Sequence, residues 1–185
     1  MSFLPKRVAL SFAAVLLAGP ALAQGVKTVG GAPMYPTKNI VENAINSKDH
    51  TTLVAAVKAA GLADTLQTPG PFTVFAPTNK AFAKLPAGTV ESLVQPANKG
   101  TLTSVLTYHV VPGRYTASEL MALAKQGGGQ AQLKTVQGAT LNVMPGRNGK
   151  GLVVSDAKGN DARITTADVT QSNGVIHVID TVVMP

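Results

Sequence analysis

A strand fenced by two prolines constrains this chain more than any other stretch. Residues 71–86 read Pro-Phe-Thr-Val-Phe-Ala-Pro-Thr-Asn-Lys-Ala-Phe-Ala-Lys-Leu-Pro. The run from Phe72 to Ala76 is apolar, aromatic and β-branched, which predicts a buried strand. Pro77 has no N–H to give to a ladder, so the strand must stop there. Thr78 and Asn79 are both good N-cap residues. A short helix follows, with Ala81, Phe82 and Leu85 on one face, and it ends before Pro86. This corner is expected to aim Phe72, Phe75 and Phe82 into a common core. By itself it is a folding nucleus and carries no chemistry.

The chain start reads as a secretory leader. Lys6 and Arg7 are followed by an apolar run from Val8 to Ala18, a break at Gly19-Pro20, and the small-x-small site Ala21-Leu22-Ala23. The competing reading is a membrane-spanning helix, but the run is shorter than the ~18 apolar residues a span needs. Residues 1–23 are therefore expected to be removed. There is no cysteine, so neither a disulfide nor lipid attachment through cysteine is open to this chain. Loss of Lys6 and Arg7 lowers the formal charge from +7 to +5. The remaining Lys and Arg stand singly and there is no Trp. A nucleic-acid surface would show a basic stripe with stacking aromatics, so a positively charged soluble surface is the expectation, with no nucleic acid as partner. No later stretch is long and apolar enough to span a bilayer.

Residues 24–38, with Gly25, Gly30-Gly31, Pro33 and Pro36, show no period and read as a flexible N-terminal arm. Asn39 caps a helix expected to turn Ile40, Val41, Ala44 and Ile45 inward. Thr51 or Thr52 caps another, carrying Leu53, Val57 and Ala60, and Gly61 is placed for its C′ stop. Leu62 and Leu66 form one more turn. Thr89 opens a helix with Val90, Leu93 and Val94. Lys99 to Tyr108 is a helix with Leu102, Val105 and Leu106 inward. His109 to Val111 turns extended. Thr116 or Ser118 caps the last helix, with Leu120 and Leu123 as its apolar face, and residues 126–130 form a connector. From Gln132 the pattern changes to strands at 133–136, 141–144, 152–154, 162–165 and 175–183. Asn173-Gly174 before the last of these is a strong hairpin signal. Helices early and antiparallel strands late argue an α+β fold, a sheet covered by helices.

Three segments carry a family resemblance. They read TVFAPTNKAF, LTYHVVPGRY and NGVIHVIDTVVMP, in that order. Together they closely resemble the fasciclin domain, over about residues 39–185. The resemblance implies a β-wedge of mainly antiparallel strands with helices packed around it, in which the early and last strands are brought together. Phe75, Pro77, Thr78, Asn79, Phe82, Asn173, Gly174 and His177 are its structural signature here. Lys80 departs from the family, which often has an acidic residue there. The resemblance also implies adhesion roles: in animal fasciclin domains an Asp beside an Ile in the last segment, and the Tyr-His segment, have been implicated. By position these are Ile179-Asp180 and Tyr108-His109.

The residues themselves offer little catalytic chemistry. None of His50, His109 and His177 has another His, Asp or Glu at i+3 or i+4 in a helix, and catalytic zinc needs three converging ligands. They read as structural histidines bonding backbone. No G-x-S-x-G elbow surrounds Ser104, Ser155 or Ser172. Asp156, Asp161 and Asp168 lie in or beside turns, where Asp commonly bonds nearby backbone. Asp180 lies in an apolar run and, if alternation holds, shares a face with Val178 and Val182. Arg147 and Lys150, beside Gly146 and Gly149, make either a solvated hairpin or an anion-contacting tip. No phosphate loop, metal or cofactor site is expected.

These readings converge on an exported bacterial interaction module, not an enzyme. It is expected to act in cell-surface or matrix adhesion by binding protein or polysaccharide, with weak self-association. The alternative is a soluble periplasmic carrier or receptor for an apolar or anionic small ligand, held between helices and sheet, where Ala55, Ala56, Ala59 and Ala60 leave a groove or allow close packing. An envelope hydrolase would rest only on the unplaced Ser and Asp residues.

Overall fold

A computed structural model describes residues 25–185; the leader reading of residues 1–23 lies outside them. The first strands are β1 (Lys27–Val29) and β2 (Ala32–Met34). They form a hairpin whose Val29, Ala32 and Met34 are buried, so residues 27–34 of the expected arm are a hairpin anchored by three side chains, while most of its other residues are exposed. Each strand is three residues long, too short to show a period beside its glycines and prolines.

The proline-fenced run forms β3 (Phe72–Pro77), buried along nearly its whole length. It pairs antiparallel with β4 (Val110–Pro112) and parallel with β9 (Gly174–Ile179), from Phe72↔Gly174 to Pro77↔Ile179. The early and last strands thus lie side by side. Gly174 makes this possible through space rather than through φ. A Cβ there would lie 2.1 Å from the Phe72 carbonyl oxygen, closer than any side chain tolerates. The turn itself is Ser172-Asn173, since Gln171 pairs with Gly174.

From β9 the sheet continues antiparallel through β8 (Asp161–Gln171), β7 (Leu152–Ser155), β6 (Thr140–Pro145) and β5 (Ala131–Lys134). Val136 N–H donates to the Val110 carbonyl at 2.8 Å, so the sheet nearly closes. β8 makes the bend. Its first residues pair with β7 and the rest with β9, with register shifts between Ile164 and Thr166 and between Thr166 and Val169. Such bulges kink and twist a strand. They also break the alternation, which is why the sequence suggests a strand ending at Thr165.

The helices are α1 (Ile40–Ala44), α2 (Thr51–Ala60), α3 (Ala63–Gln67), α4 (Asn79–Ala83), α5 (Thr89–Leu93), α6 (Lys99–Tyr108) and α7 (Ala117–Gln126). Asn39 with Glu42, and Thr116 with Glu119, form capping boxes, each satisfying orphan N–H groups. Gly61 closes α2 in the left-handed region at φ 70°. No side chain of its own first turn caps α2. Asn79 does so from α4: its Oδ1 accepts from Thr52 N–H at 3.0 Å and its Nδ2 donates to the Lys48 carbonyl at 2.8 Å. Thr78 alone caps α4.

Two cores result, one on each face of β3. Val74, Ala76 and Phe82 belong to the core under α1, α2 and α6, and Phe72 packs against it. Phe75 belongs to the second core, with Leu120 and Ala124 of α7 and the inner faces of β5–β7. The three Phe rings therefore do not share a core, because successive strand residues point to opposite faces. Ile45 is 51% exposed, since the five-residue α1 has already ended there. Leu123 is exposed because the buried stripe of α7 is Leu120 and Ala124. Val94 lies just past α5 and is exposed as well. The last strand stops at Ile179 rather than Val183.

Candidate functional site

The polar residues of the three family segments are largely turned inward. Tyr108 is wholly buried, and its hydroxyl donates to the Thr140 carbonyl at 2.9 Å and accepts from Ala157 N–H at 3.2 Å. His109 Nδ1 contacts the Val105 carbonyl at 2.8 Å, and Nε2 accepts from Val183 N–H at 3.3 Å. The proton therefore sits on Nδ1, and the ring ties the end of α6 to the chain terminus. Burial pushes its pKa down to about 4, the Val105 carbonyl opposing only in part. His177 stacks on Phe75 and bridges Asp168 N–H and the Tyr115 carbonyl. Its pKa is also lowered by burial. Asn173 accepts from Ile40 N–H at 3.0 Å and donates to the carbonyls of Leu66 and Thr68 at 2.7 and 3.0 Å. One side chain thus joins α1, α3 and the β8–β9 turn. Ile179 is wholly buried.

Of the four residues to which the resemblance assigns adhesion, only Asp180 reaches solvent; Tyr108, His109 and Ile179 serve the core. Asp180 does not share a strand face with Val178 and Val182, because β9 has ended. Its N–H donates to the Arg163 carbonyl at 3.1 Å, and its own Oδ1 accepts from Arg163 N–H at 2.9 Å. The side chain takes the place of the next ladder partner. Its Oδ2 lies 3.8 Å from Lys84 Nζ, which also donates to Thr181 Oγ1 at 3.1 Å.

That corner opens onto a groove of about 890 Å³. It is lined by Lys84 at the end of α4, by Asp180 and Thr181, by the β6–β7 turn with Arg147 and Lys150, by Asp161 and Arg163 of β8, and by the apolar Met144, Leu152 and Ile164. Both carboxylates are engaged: Asp180 as described, and Asp161 as acceptor for the Ser155 hydroxyl. Among the described residues Lys84–Asp180 is the one ion pair, so Arg147, Lys150 and Arg163 face solvent without an acidic partner. The β6–β7 tip is thus part of a larger basic surface. Lys84 and Arg163 escape a reading of the sequence because they are isolated there, on separate elements.

Other clusters are structural. Asp156 is buried, which alone would raise its pKa, yet hydrogen bonds from the Asn160 side chain and the N–H groups of Met184, Asn160 and Lys158 hold it below the usual carboxylate range. It organises the β7–β8 turn, as Asp in a turn should, and also grips the chain terminus. Asp168 Oδ1 accepts from Ala117 N–H at the start of α7. Ser47 Oγ lies 2.8 Å from His50 Nδ1, but both are buried, so no substrate reaches the pair. Among the described residues, no group of three His, Asp or Glu gathers to hold a metal. The cavity between α1–α3 and β3 is about 40 Å³, far below the ~300–1,000 Å³ of small-molecule sites. Ala56 and Ala60 are packed in the core away from that cavity, and Ala55 and Ala59 are exposed, so the four line no groove between helices and sheet.

A nearly closed, mainly antiparallel sheet with one parallel pair, β3 and β9, and helices packed on it defines an α+β wedge. A model of the fasciclin domain matches residues 48–185, and the chain belongs to that family. Protein sll1483 of Synechocystis sp. is 46% identical over 177 residues, covering 96% of this chain and 90% of that protein. Cell surface glycolipoprotein MPB83 of Mycobacterium bovis is 34% identical over 166 residues, covering 87% of this chain and 66% of that protein. Among solved structures, a FAS1 domain pair from the insect cell adhesion molecule Fasciclin I matches with a TM-score of 0.69 at 20% identity, over 80% of this chain and 51% of that chain. That match shows a shared fold. No catalytic family is indicated, and no helix among the described residues is long and apolar enough to cross a membrane.

Proposed function

We propose that this chain is an exported, adhesion-type interaction module that binds a cell-surface or matrix component, protein or polysaccharide, at the groove beside Asp180. The observation that carries the reading is where the last family segment surfaces: it reaches solvent at Asp180, on the rim of the large basic groove. A relative named as a cell-surface glycolipoprotein and a fold neighbour named as a cell adhesion molecule support it, as does the leader expected at residues 1–23. Asp180 acts here by position, holding the Arg163 backbone with one oxygen and facing Lys84 with the other. The carrier alternative keeps support in its anionic-ligand form alone, through the same groove.

The test is binding of purified residues 24–185 to isolated cell envelopes. Binding should saturate, unlabelled protein should compete it away, and Asp180→Ala should weaken it several-fold while the circular dichroism spectrum stays native. Binding that never saturates, or that a folded Asp180→Ala variant leaves undiminished, would sink the reading.

A further inference from the structure

We propose that the groove beside Asp180 takes a segment of an acidic polysaccharide, with Arg147, Lys150 and Arg163 contacting its carboxylate or sulfate groups. This rests on the reading of the chain as a surface-binding module and names the class of its ligand. Three observations converge on it.

The first is charge. Four cations line the groove, and the two carboxylates beside them are already engaged, by Lys84, Thr181 and the Arg163 backbone in one case and by Ser155 in the other. The field in the groove is therefore positive, and its free donors are two guanidinium forks and an ammonium, which suit carboxylate and sulfate geometry.

The second is shape. The groove's volume of about 890 Å³ exceeds what one small anion fills. Arg147 and Lys150 stand on the β6–β7 turn, while Arg163 stands on β8. Cations spread over two elements match a polymer with repeated charges better than a single point charge.

The third is what the groove lacks. No aromatic residue lines it, so neither the ring stacking that single-stranded nucleic acid uses nor the aromatic anchors of protein hot spots are on offer. The exposed large apolar residues Val26, Tyr35, Ile45, Val94, Leu123 and Val136 lie elsewhere. A lipid surface would have nothing at the groove rim to receive.

The experiment is calorimetric titration of residues 24–185 with defined probes at ~0.1 M salt, where the Debye length is ~10 Å: oligomannuronate for carboxylate, a heparin oligosaccharide for sulfate, neutral dextran, and phosphatidylglycerol vesicles. At least one acidic oligosaccharide should bind and dextran should not; which of the two binds identifies the anion. The variant R147A/K150A/R163Q should weaken binding about tenfold, each exposed charge contact giving a few-fold. The control K58A/K125A/K134A, which removes equal charge away from the groove, should stay within about twofold of wild type by the same reasoning. The proposal is overturned if neither acidic oligosaccharide binds, if both triple variants lose affinity equally, or if vesicles bind and oligosaccharides do not. Envelope binding that persists in any of those cases leaves the interaction module standing and removes only its ligand class.

Discussion

Acidification should destabilise this domain through His109, well above the pH at which carboxylates titrate. The ring is buried, with its pKa held at about 4, whereas in the unfolded chain it returns to ~6.5. A histidine whose folded pKa is depressed leaves the unfolded state binding more protons. Stability is therefore intact above the unfolded value and falls as pH drops from about 6.5 toward 4. Between pH 7.5 and pH 5.0 the share due to His109 is about 2 kcal/mol. His50 and His177 are also lowered, both chiefly by burial, and add in the same direction. The assay is urea unfolding of residues 24–185 at the two pH values. With a slope of ~1–3 kcal/mol per molar urea, the His109 share moves the midpoint by about 1 M. His109→Gln keeps a donor and an acceptor without a titration. Whatever it costs at pH 7.5, its further loss at pH 5.0 should be smaller than wild type by about 2 kcal/mol. Equal losses in the two proteins, or wild-type stability that rises on acidification, would refute the reasoning.

Two further substitutions test the internal polar links. Asn173→Ala leaves the Ile40 N–H and the Leu66 and Thr68 carbonyls without their partner and should cost about 2–3 kcal/mol in urea unfolding. Asn79→Ala uncaps α2 rather than its own helix. It should cost about 1–2 kcal/mol, with faster amide hydrogen exchange at the start of α2 while α4 keeps its Thr78 cap.

Much of the architecture is legible in local chemistry. Pro77 ends β3, Thr78 starts α4, Gly61 closes α2, and the apolar spacing of Leu102, Val105 and Leu106 marks the buried side of α6. These signals act over a few residues, through φ limits, missing donors and side-chain period, so they survive without knowledge of the fold. The same is true of the switch from helices to antiparallel strands, and of the three segments that mark the family.

Long-range partnership was decided by the tertiary structure. Asn79 looks like a local cap and serves a helix some 27 residues away. Gly174 looks like turn chemistry and is needed for the approach of Phe72. Tyr108 and His109 are polar and could have faced outward. Their burial follows because the nearly closed sheet supplies the Thr140 carbonyl, and the chain terminus the Val183 N–H, to satisfy them. The basic groove is the clearest case. Lys84, the Arg147/Lys150 pair and Arg163 come from three separate stretches of sequence, and only the end of β9 at Asp180, beside the β6–β7 turn, brings them to one surface. A local pattern can specify an element, but a site drawn from several separate elements exists only once the sheet has closed.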